Sequence, residues 1–311
     1  MTPVDVGYDR TLYLLAFDHR ASFQQGLFGI EGTPSPEEAS RIGQSKRIIF
    51  EGLRLAVQRG IPREHAGALV DERFGADVAL AARREGLVLA VPVEKSGQAE
   101  FDFEYGHDFA PHVEAFDPTF AKVLVRYNPD GDEAVNGRQL ARLRQLAEWL
   151  HARGRRLLFE LLVPPLPAQL ERAGGDPDRY DLEIRPGLVV RVIQEAQDVG
   201  VEADVWKIEG LDQREDCRRV AVQARAGGRD RVSCIVLGRG ASEERVVHWL
   251  RQGAGVPGFA GFAVGRTIWW DPLRQWIAGE AGPELAARAI ADRFMRMVAA
   301  YESAATHVEP A

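Results

Sequence analysis

The sequence contains only two cysteines, Cys217 and Cys234, among its 311 residues. Two cysteines are too few for a disulfide framework, and their separation does not match the C-x-x-C spacing of zinc or redox sites. This absence excludes the class of small secreted proteins that disulfides stabilise. We therefore expect a protein that works in the reducing cytoplasm.

Long apolar runs and an excess of basic residues are also missing. No stretch approaches eighteen consecutive apolar residues, and the first residues, MTPVDVGYDR, lack the basic and apolar regions of an export signal. The net charge of −7, from 39 Lys+Arg and 46 Asp+Glu, gives no basic field for nucleic acid or an anionic membrane. We expect neither a nucleic-acid nor a membrane partner, and an anionic ligand must be bound by a local group of side chains.

The seven histidines are scattered along the sequence. Only His19 stands at the end of a predicted strand, so the clustered histidines of a metal-dependent aldolase are missing. We therefore expect no metal and no cofactor.

Short apolar runs alternate with segments of helical pattern, which is typical of β–α units around a parallel sheet. The predicted strands are residues 12–17, 67–70, 87–93, 120–125, 156–162, 205–208, 232–237 and 259–264. No Gly/Ser-rich or Pro-rich linker divides the chain. Eight such units favour an α/β fold with one (β/α)8 TIM barrel. A doubly wound open sheet is the alternative, although it usually has fewer strands and a phosphate fingerprint after the first.

The segments between the runs predict the helices of this single domain, which spans residues 1–311 with its core at about 11–280. The predicted helices are residues 36–59, 77–85, 133–154, 186–200, 213–226, 242–253 and a last one at about 283–301. The third connection, residues 96–118, shows no clear helical pattern. The tail after Tyr301 is predicted to fray.

Charged residues stand within or directly after several apolar runs, at the strand ends where barrels place their chemistry. Lys122, Glu160 and Lys207 are each flanked by β-forming residues and would point into the barrel or its mouth. Burying a lone ammonium is costly unless it is paired or neutralised. A carboxylate between two lysines offsets the cost of burying them, so structural ion pairs are one explanation of these residues.

Schiff-base catalysis is the other explanation. A lysine beside a second cation in a partly desolvated site has a lowered pKa and becomes a nucleophile toward a carbonyl. A neighbouring carboxylate can move the protons for carbinolamine formation and dehydration.

Glycines follow the seventh and eighth predicted strands, in the segments IVLGRGASEERV and GFAVGRTIWW. Loops at these two positions often bind phosphate in barrels, because backbone N–H groups and a helix N-terminus face the anion. Glycine allows the main chain to approach the ligand closely. The pattern predicts Gly238, Gly240, Gly265 and Arg266 as phosphate ligands, with ordinary turn glycines as the alternative.

The ordered segments AFDHRASF, ALVDERFG, PVEKSG, AKVLVRYNPDGD, LFELLVP, VWKIEG and AVGRTIW resemble the barrel of class I aldolases that cleave tagatose 1,6-bisphosphate. They resemble still more the domain fused to the C-terminus of some inositol-catabolic 5-dehydro-2-deoxygluconokinases. That domain is related to 5-dehydro-2-deoxyphosphogluconate aldolases, and sulfofructose-phosphate aldolases are similar too. The resemblance covers about residues 11–275.

The resemblance implies a role for each matching residue. Lys207 would be the Schiff-base lysine, Glu160 the proton shuttle, Lys122 its electrostatic partner and Asp18 the carboxylate that orients the amines. Two positions depart from the pattern: His19 replaces a glutamine, and Arg239 stands where a small residue is usual. Both lie where substrate would be recognised.

The expected function is therefore a metal-independent class I aldolase that cleaves a phosphorylated ketose or keto-acid into dihydroxyacetone phosphate and an aldehyde. We rank 5-dehydro-2-deoxygluconate 6-phosphate first, before sulfofructose 1-phosphate and tagatose 1,6-bisphosphate. Residues expected to meet a second anionic group are Arg20, Arg73, Lys95 and Arg126. A non-catalytic sugar-phosphate-binding barrel with a regulatory or scaffolding role is the alternative. A homo-oligomer is expected only by analogy, since such barrels often form symmetric assemblies.

Overall fold

The computed structural model describes residues 6–306, which form a closed barrel of eight parallel strands in the order β1 to β8. The strands are β1 Leu12–Ala16, β2 Ala66–Leu69, β3 Val88–Pro92, β4 Phe120–Arg126, β5 Arg156–Leu162, β6 Val205–Glu209, β7 Ser233–Leu237 and β8 Phe259–Val264. Strand β8 pairs with β1 and closes the sheet. The predicted TIM barrel is thus confirmed, and the open-sheet alternative is wrong.

Helices surround the barrel. They are α1 Ala21–Phe28, α2 Pro36–Gln58, α3 Glu72–Arg84, α4 Phe109–Phe116, α5 Glu133–His151, α6 Pro167–Arg172, α7 Pro177–Arg179, α8 Arg185–Asp198, α9 Arg214–Ala224, α10 Glu243–Gly253, α11 Arg266–Ile277 and α12 Pro283–Thr306. Several begin at a polar residue that caps the helix. Ser35 and Glu38 form a capping box at α2, and Ser242 accepts a hydrogen bond from the Arg245 amide of α10.

The strands are apolar because the barrel buries both of their faces. Inside the barrel, Leu12, Leu14 and Leu158 belong to a cluster that fills the interior below the cavity. Outward-facing side chains such as Phe159 and Trp206 pack under the helices. A charged residue within one of these buried strands is therefore an exception to their apolar composition.

The third connection differs from its prediction. Residues 106–108 form a 3₁₀ turn that leads into α4, where Phe109 and Val113 are buried. This helix has only eight residues, which is too short for its apolar spacing to stand out in the sequence. Helices α1, α6, α7 and α11 were likewise not predicted. The last helix continues to Thr306 rather than ending near Tyr301, and residues 307–311 of the predicted frayed tail lie outside the described part.

Candidate active site

A cavity of about 490 Å³ opens at the carboxyl ends of the strands. Every residue predicted for the site lines it except Arg73. The other lining residues include Glu94 and Glu209, which were not predicted for the site, and also His19 and Arg239, the two positions that depart from the family pattern. The end of the barrel at which this cavity opens is the end that carries the chemistry in enzymes of this fold.

The strand register brings the two predicted lysines to one carboxylate. Glu160 of β5 and Lys207 of β6 are register partners, and Leu124 of β4 is the partner of Glu160 on the other side. Lys122 lies two residues before Leu124 and therefore shares its inward face. Alternation along three neighbouring strands thus explains why residues distant in sequence point into the same space.

Lys122 is the centre of the charged group. Its Nζ lies 2.8 Å from Asp18 Oδ2, 2.8 Å from Glu94 Oε1 and 2.9 Å from Glu160 Oε2. Only 1% of Lys122 is exposed, so an unpaired ammonium would be very costly here. Three carboxylates compensate this cost.

Lys207 has a different environment. Its Nζ lies 3.0 Å from Glu160 Oε2, the same oxygen that contacts Lys122. Within residues 6–306, Glu160 is its only ion-pair partner at this range. Lys207 is 2% exposed and lines the cavity floor, so its amine is positioned to meet a bound ligand.

The charges in this group follow from the contacts. Burial alone would lower the pKa of Lys122, but Asp18, Glu160 and Glu94 together raise it well above its ordinary value. Burial would raise the pKa of Asp18 and of Glu160, yet the neighbouring ammoniums of Lys122 and Lys207 lower both. Lys122 therefore stays a cation while Asp18 and Glu160 stay anions.

Glu94, two residues beyond the end of β3, is a member that the sequence did not assign to the catalytic set. It contacts Lys122 and accepts a 3.3 Å hydrogen bond from Arg20 Nη2. Burial raises its pKa despite Lys122 and Arg20, and its Oε2 is buried without a partner among residues 6–306. Glu94 is thus the carboxylate of the group that holds a proton most readily. Its position at a strand end was visible in the sequence, but its partners were not.

The predicted phosphate loops lie side by side on the cavity wall. Arg266 Nη2 donates a 2.8 Å hydrogen bond to the carbonyl oxygen of Arg239, and its guanidinium covers Gly240. A Cβ at Gly240 would lie 2.7 Å from Arg266 Cζ, and the Gly240 backbone has a φ of 74°, which residues with a side chain rarely adopt, so this position favours glycine. Helix α11 begins at Arg266, directly after Gly265, and its first N–H groups lie at the loop.

Arg239 adopts a left-handed conformation with φ of 53°, which is uncommon for a residue other than glycine. Its Nε lies 3.1 Å from Glu209 Oε1, and its Nη1 bonds to Asp181. Asp181 also accepts a 2.8 Å hydrogen bond from the buried Arg185. These two carboxylates and two guanidiniums form a neutral wall beside the glycine loop and hold it in place.

The cations predicted to meet a second anion occupy different positions. Lys95 and Arg126 are exposed at the rim, and Arg126 Nη1 donates a 2.8 Å hydrogen bond to Gln98 O. Arg20 lines the cavity but is buried against Glu94 and Glu104. Arg73 does not line it.

The Arg73 guanidinium instead lies over the Phe74 ring, 5.0 Å from its centroid. Residues 71–73 follow β2, but α3 begins at Glu72 and carries Arg73 out of the cavity. The structure therefore does not place Arg73 with the other predicted ligands.

In residues 6–306, no three side chains of His, Cys, Asp or Glu are grouped as ligands for a metal ion. In the same range, none of the helices combines the length and the apolar character needed to cross a membrane.

Comparison with known proteins gives one family match. The family described as "Uncharacterized protein conserved in bacteria (DUF2090)" matches residues 6–305. None of the curated proteins matches the chain.

Solved structures with the same barrel include a Schiff-base-forming fructose-1,6-bisphosphate aldolase, with a TM-score of 0.53 and 14% identity over 91% of this chain and 93% of that one. The fructose-bisphosphate aldolase of Slackia heliotrinireducens has a TM-score of 0.58 and 14% identity, covering 97% and 88%. A Corynebacterium glutamicum protein has a TM-score of 0.58 and 16% identity, covering 94% and 88%. At these identities the similarity establishes a shared fold.

Proposed function

We propose that this chain, which belongs to the DUF2090 family, is a class I aldolase that forms a Schiff base through Lys207. The observation that carries the proposal is the single oxygen, Glu160 Oε2, that lies between two buried lysine amines at 2.9 and 3.0 Å. One of these amines, Lys122, is held as a cation by three carboxylates. Lys207, the other amine, lies at the cavity floor with one carboxylate partner that can accept its proton.

The reaction begins when Glu160 takes one proton from the Lys207 ammonium, and the resulting amine attacks the substrate ketone. A second proton passes from the nitrogen to the former carbonyl oxygen, Glu160 returns the first proton to that oxygen, and water leaves, which gives the iminium. The carbon–carbon bond then breaks, its electron pair moves to the iminium nitrogen as an enamine forms, and Glu160, again a carboxylate, removes the hydroxyl proton of the departing aldehyde. Protonation of the enamine and hydrolysis of the iminium release dihydroxyacetone phosphate and free Lys207.

Lys122 and Asp18 support this sequence of steps. Lys122 keeps Glu160 anionic and fixes its oxygen between the two amines, because its Nζ lies 2.9 Å from that oxygen. Asp18 compensates the Lys122 charge at 2.8 Å, so the site does not accumulate two uncompensated cations when the iminium forms.

The cationic side chains that line the cavity indicate which anionic groups a substrate would carry. The loops after β7 and β8 offer Gly238, Gly240, Gly265 and Arg266 to a phosphate. Lys95 and Arg126, at the rim after β3 and in β4, face the cavity from other strands and would meet a second anionic group.

Of substrates with such a group, 5-dehydro-2-deoxygluconate 6-phosphate stays our first choice, followed by sulfofructose 1-phosphate and tagatose 1,6-bisphosphate. The proposed reaction needs no metal, since the iminium itself accepts the electron pair. Together with two free cysteines, it suits a cytoplasmic enzyme.

Borohydride trapping with dihydroxyacetone phosphate tests the proposal. Reduction should add the ligand mass to the peptide that contains Lys207, in the presence of EDTA as well as without it. Lys207→Ala should abolish this adduct, whereas Lys95→Ala should retain it. Labelling of Lys122 instead would contradict the mechanism. Binding of the ligand with no adduct at all would favour the non-catalytic sugar-phosphate-binding barrel.

A further inference from the structure

His19 follows Asp18 at the end of β1 and lines the cavity, and the residues around it fix its orientation. Lys46 donates a 3.0 Å hydrogen bond to the His19 carbonyl oxygen. The His19 ring meets Trp269 edge-on, with 5.5 Å between ring centroids. A Cβ at Gly265 would lie 3.3 Å from His19 Cε1, so the β8 loop is in close contact with the ring. The imidazole is therefore held between the proposed phosphate loop and the Asp18 end of the charged group.

The ring has hydrogen-bonding capacity that the protein does not use. Nδ1 is buried, and within residues 6–306 neither ring nitrogen takes part in a protein hydrogen bond. About 26% of the side chain is exposed, and since Nδ1 is buried, Nε2 is the nitrogen that a ligand in the cavity can reach. An unsatisfied polar group in such a position requires an explanation.

Charge and tautomer define what Nε2 can bind. Burial lowers the pKa of His19 to about 4, against the opposing effect of Asp18, so the ring is neutral near pH 7. The Asp18 carboxylate oxygen lies 4.0 Å from Nδ1, which is long for a hydrogen bond but favours the tautomer with its proton on Nδ1. Nε2 then presents a lone pair, which accepts a hydroxyl hydrogen and offers nothing to a phosphate or carbonyl oxygen.

We propose that Nε2 of His19 accepts a hydrogen bond from the free hydroxyl of a bound dihydroxyacetone phosphate unit, which makes His19 a specificity-determining residue. This inference rests on the proposed aldolase function, in which the phosphate lies at Arg266 and the ketone at Lys207. His19 touches the first of these regions through Gly265 and the second through Asp18. His19 therefore selects substrates that carry a hydroxyl on the carbon next to the ketone.

The test compares two ligands that differ only in that hydroxyl, dihydroxyacetone phosphate and hydroxyacetone phosphate. The measured quantity is the ligand concentration that gives half-maximal borohydride adduct on Lys207. We expect the native protein to prefer dihydroxyacetone phosphate about tenfold, the size of one hydrogen bond in a desolvated site. In His19→Phe the two concentrations should become equal within about twofold. Differences in ligand reactivity cancel because each ratio is compared between variants.

Three further variants make the result specific. His19→Gln keeps a hydrogen-bonding side chain and should retain part of the preference, which also covers the case that His19→Phe does not fold. Arg266→Ala should weaken both ligands by the same factor and leave their ratio unchanged. His107→Gln, at an exposed histidine outside the cavity lining, should behave as the native protein.

Two outcomes separate the inference from the function on which it rests. An adduct with neither ligand in the native protein would overturn the aldolase proposal itself. An adduct with both ligands, and an unchanged ratio in His19→Phe and His19→Gln, would refute the role of His19 and leave the aldolase proposal intact.

Discussion

Replacement of Lys122 by methionine tests the electrostatic structure of the site. Methionine has nearly the length and volume of lysine but lacks the ammonium that three carboxylates share. Removing one partner of a buried ion pair costs about 3–5 kcal/mol, mainly because the remaining charges lie buried and unpaired. We expect Lys122→Met to lose about this much unfolding free energy at pH 7.5.

The loss should depend on pH. In the native protein, the pKa values of Asp18 and Glu160 lie below their ordinary values of 3.8 and 4.5. Their stabilising effect is therefore present above those ordinary values and is lost as the pH falls. Without Lys122, Lys207 is the cation that still opposes burial at both carboxylates, so both pKa values rise relative to the native protein. The variant then binds more protons than the native protein in the folded state, so its deficit in stability is largest at high pH. The difference between the two proteins should therefore shrink as the pH approaches 4.

Glu94 changes the size of this stability difference between the native protein and Lys122→Met, but not its direction. Its pKa is already raised in the native protein, because burial outweighs Lys122 and Arg20. It therefore loses its contribution to folding as the pH rises in both proteins, and loses more of it in the variant, where one of its two cations is absent.

Urea unfolding at pH 7.5 and pH 4.5 measures this effect. Lys95→Met is the matched control, since Lys95 is exposed at the cavity rim and its replacement should change stability by less than about 0.5 kcal/mol at either pH. An equal loss for Lys122→Met at the two pH values would refute the charge assignment, since a packing defect has no reason to depend on protonation.

Two other predictions concern the loops after β7 and β8. Arg266→Ala should weaken binding of dihydroxyacetone phosphate about ten- to a hundredfold, as measured by calorimetry, because one charge-assisted contact of about 1.5–3 kcal/mol is lost. An unchanged affinity would indicate that the phosphate binds in another part of the cavity, such as beside Lys95 and Arg126. Gly265→Ala should cost about 1–3 kcal/mol in urea unfolding, because the new methyl group would overlap the Ala16 carbonyl oxygen. A variant as stable as the native protein would contradict the close contact between β1 and the β8 loop.

The barrel could be predicted because the burial that stabilises each strand also makes its sequence apolar. Each strand is buried on both faces, so it appears as a short apolar run, and a charge such as Lys122 or Lys207 within a run has to point inward. Alternation along β4, β5 and β6 then places these residues together with Glu160 without further information.

What the sequence did not show depends on tertiary contacts. Lys46 lies in the middle of α2, where a lysine usually faces solvent, yet it is completely buried and donates to the carbonyl oxygens of Phe17 and His19 and to Asp71. No spacing rule identifies such a partner across three elements. The same holds for Glu94, whose neighbour Lys122 is 28 residues away.

Glu160→Gln provides the most selective test of the division of roles between the lysines. The substitution keeps the shape of a side chain whose one oxygen contacts both amines, but it removes the charge and the proton acceptor. Turnover should therefore fall by about 10²–10⁴-fold, the usual contribution of a positioned acid–base group. Lys207 remains, so a borohydride adduct should still accumulate slowly in Glu160→Gln.

Lys207→Ala should differ by giving no adduct and no turnover. Glu148→Gln is the control, because Glu148 pairs with Arg144 on the exposed face of α5 and does not line the cavity, so its turnover should match the native value. If Glu160→Gln turned over substrate at the native rate, Glu160 would not be the proton shuttle. If it lost the adduct as completely as Lys207→Ala, its carboxylate would be needed for carbinolamine formation itself, and the slow direct attack by Lys207 assumed here would be wrong.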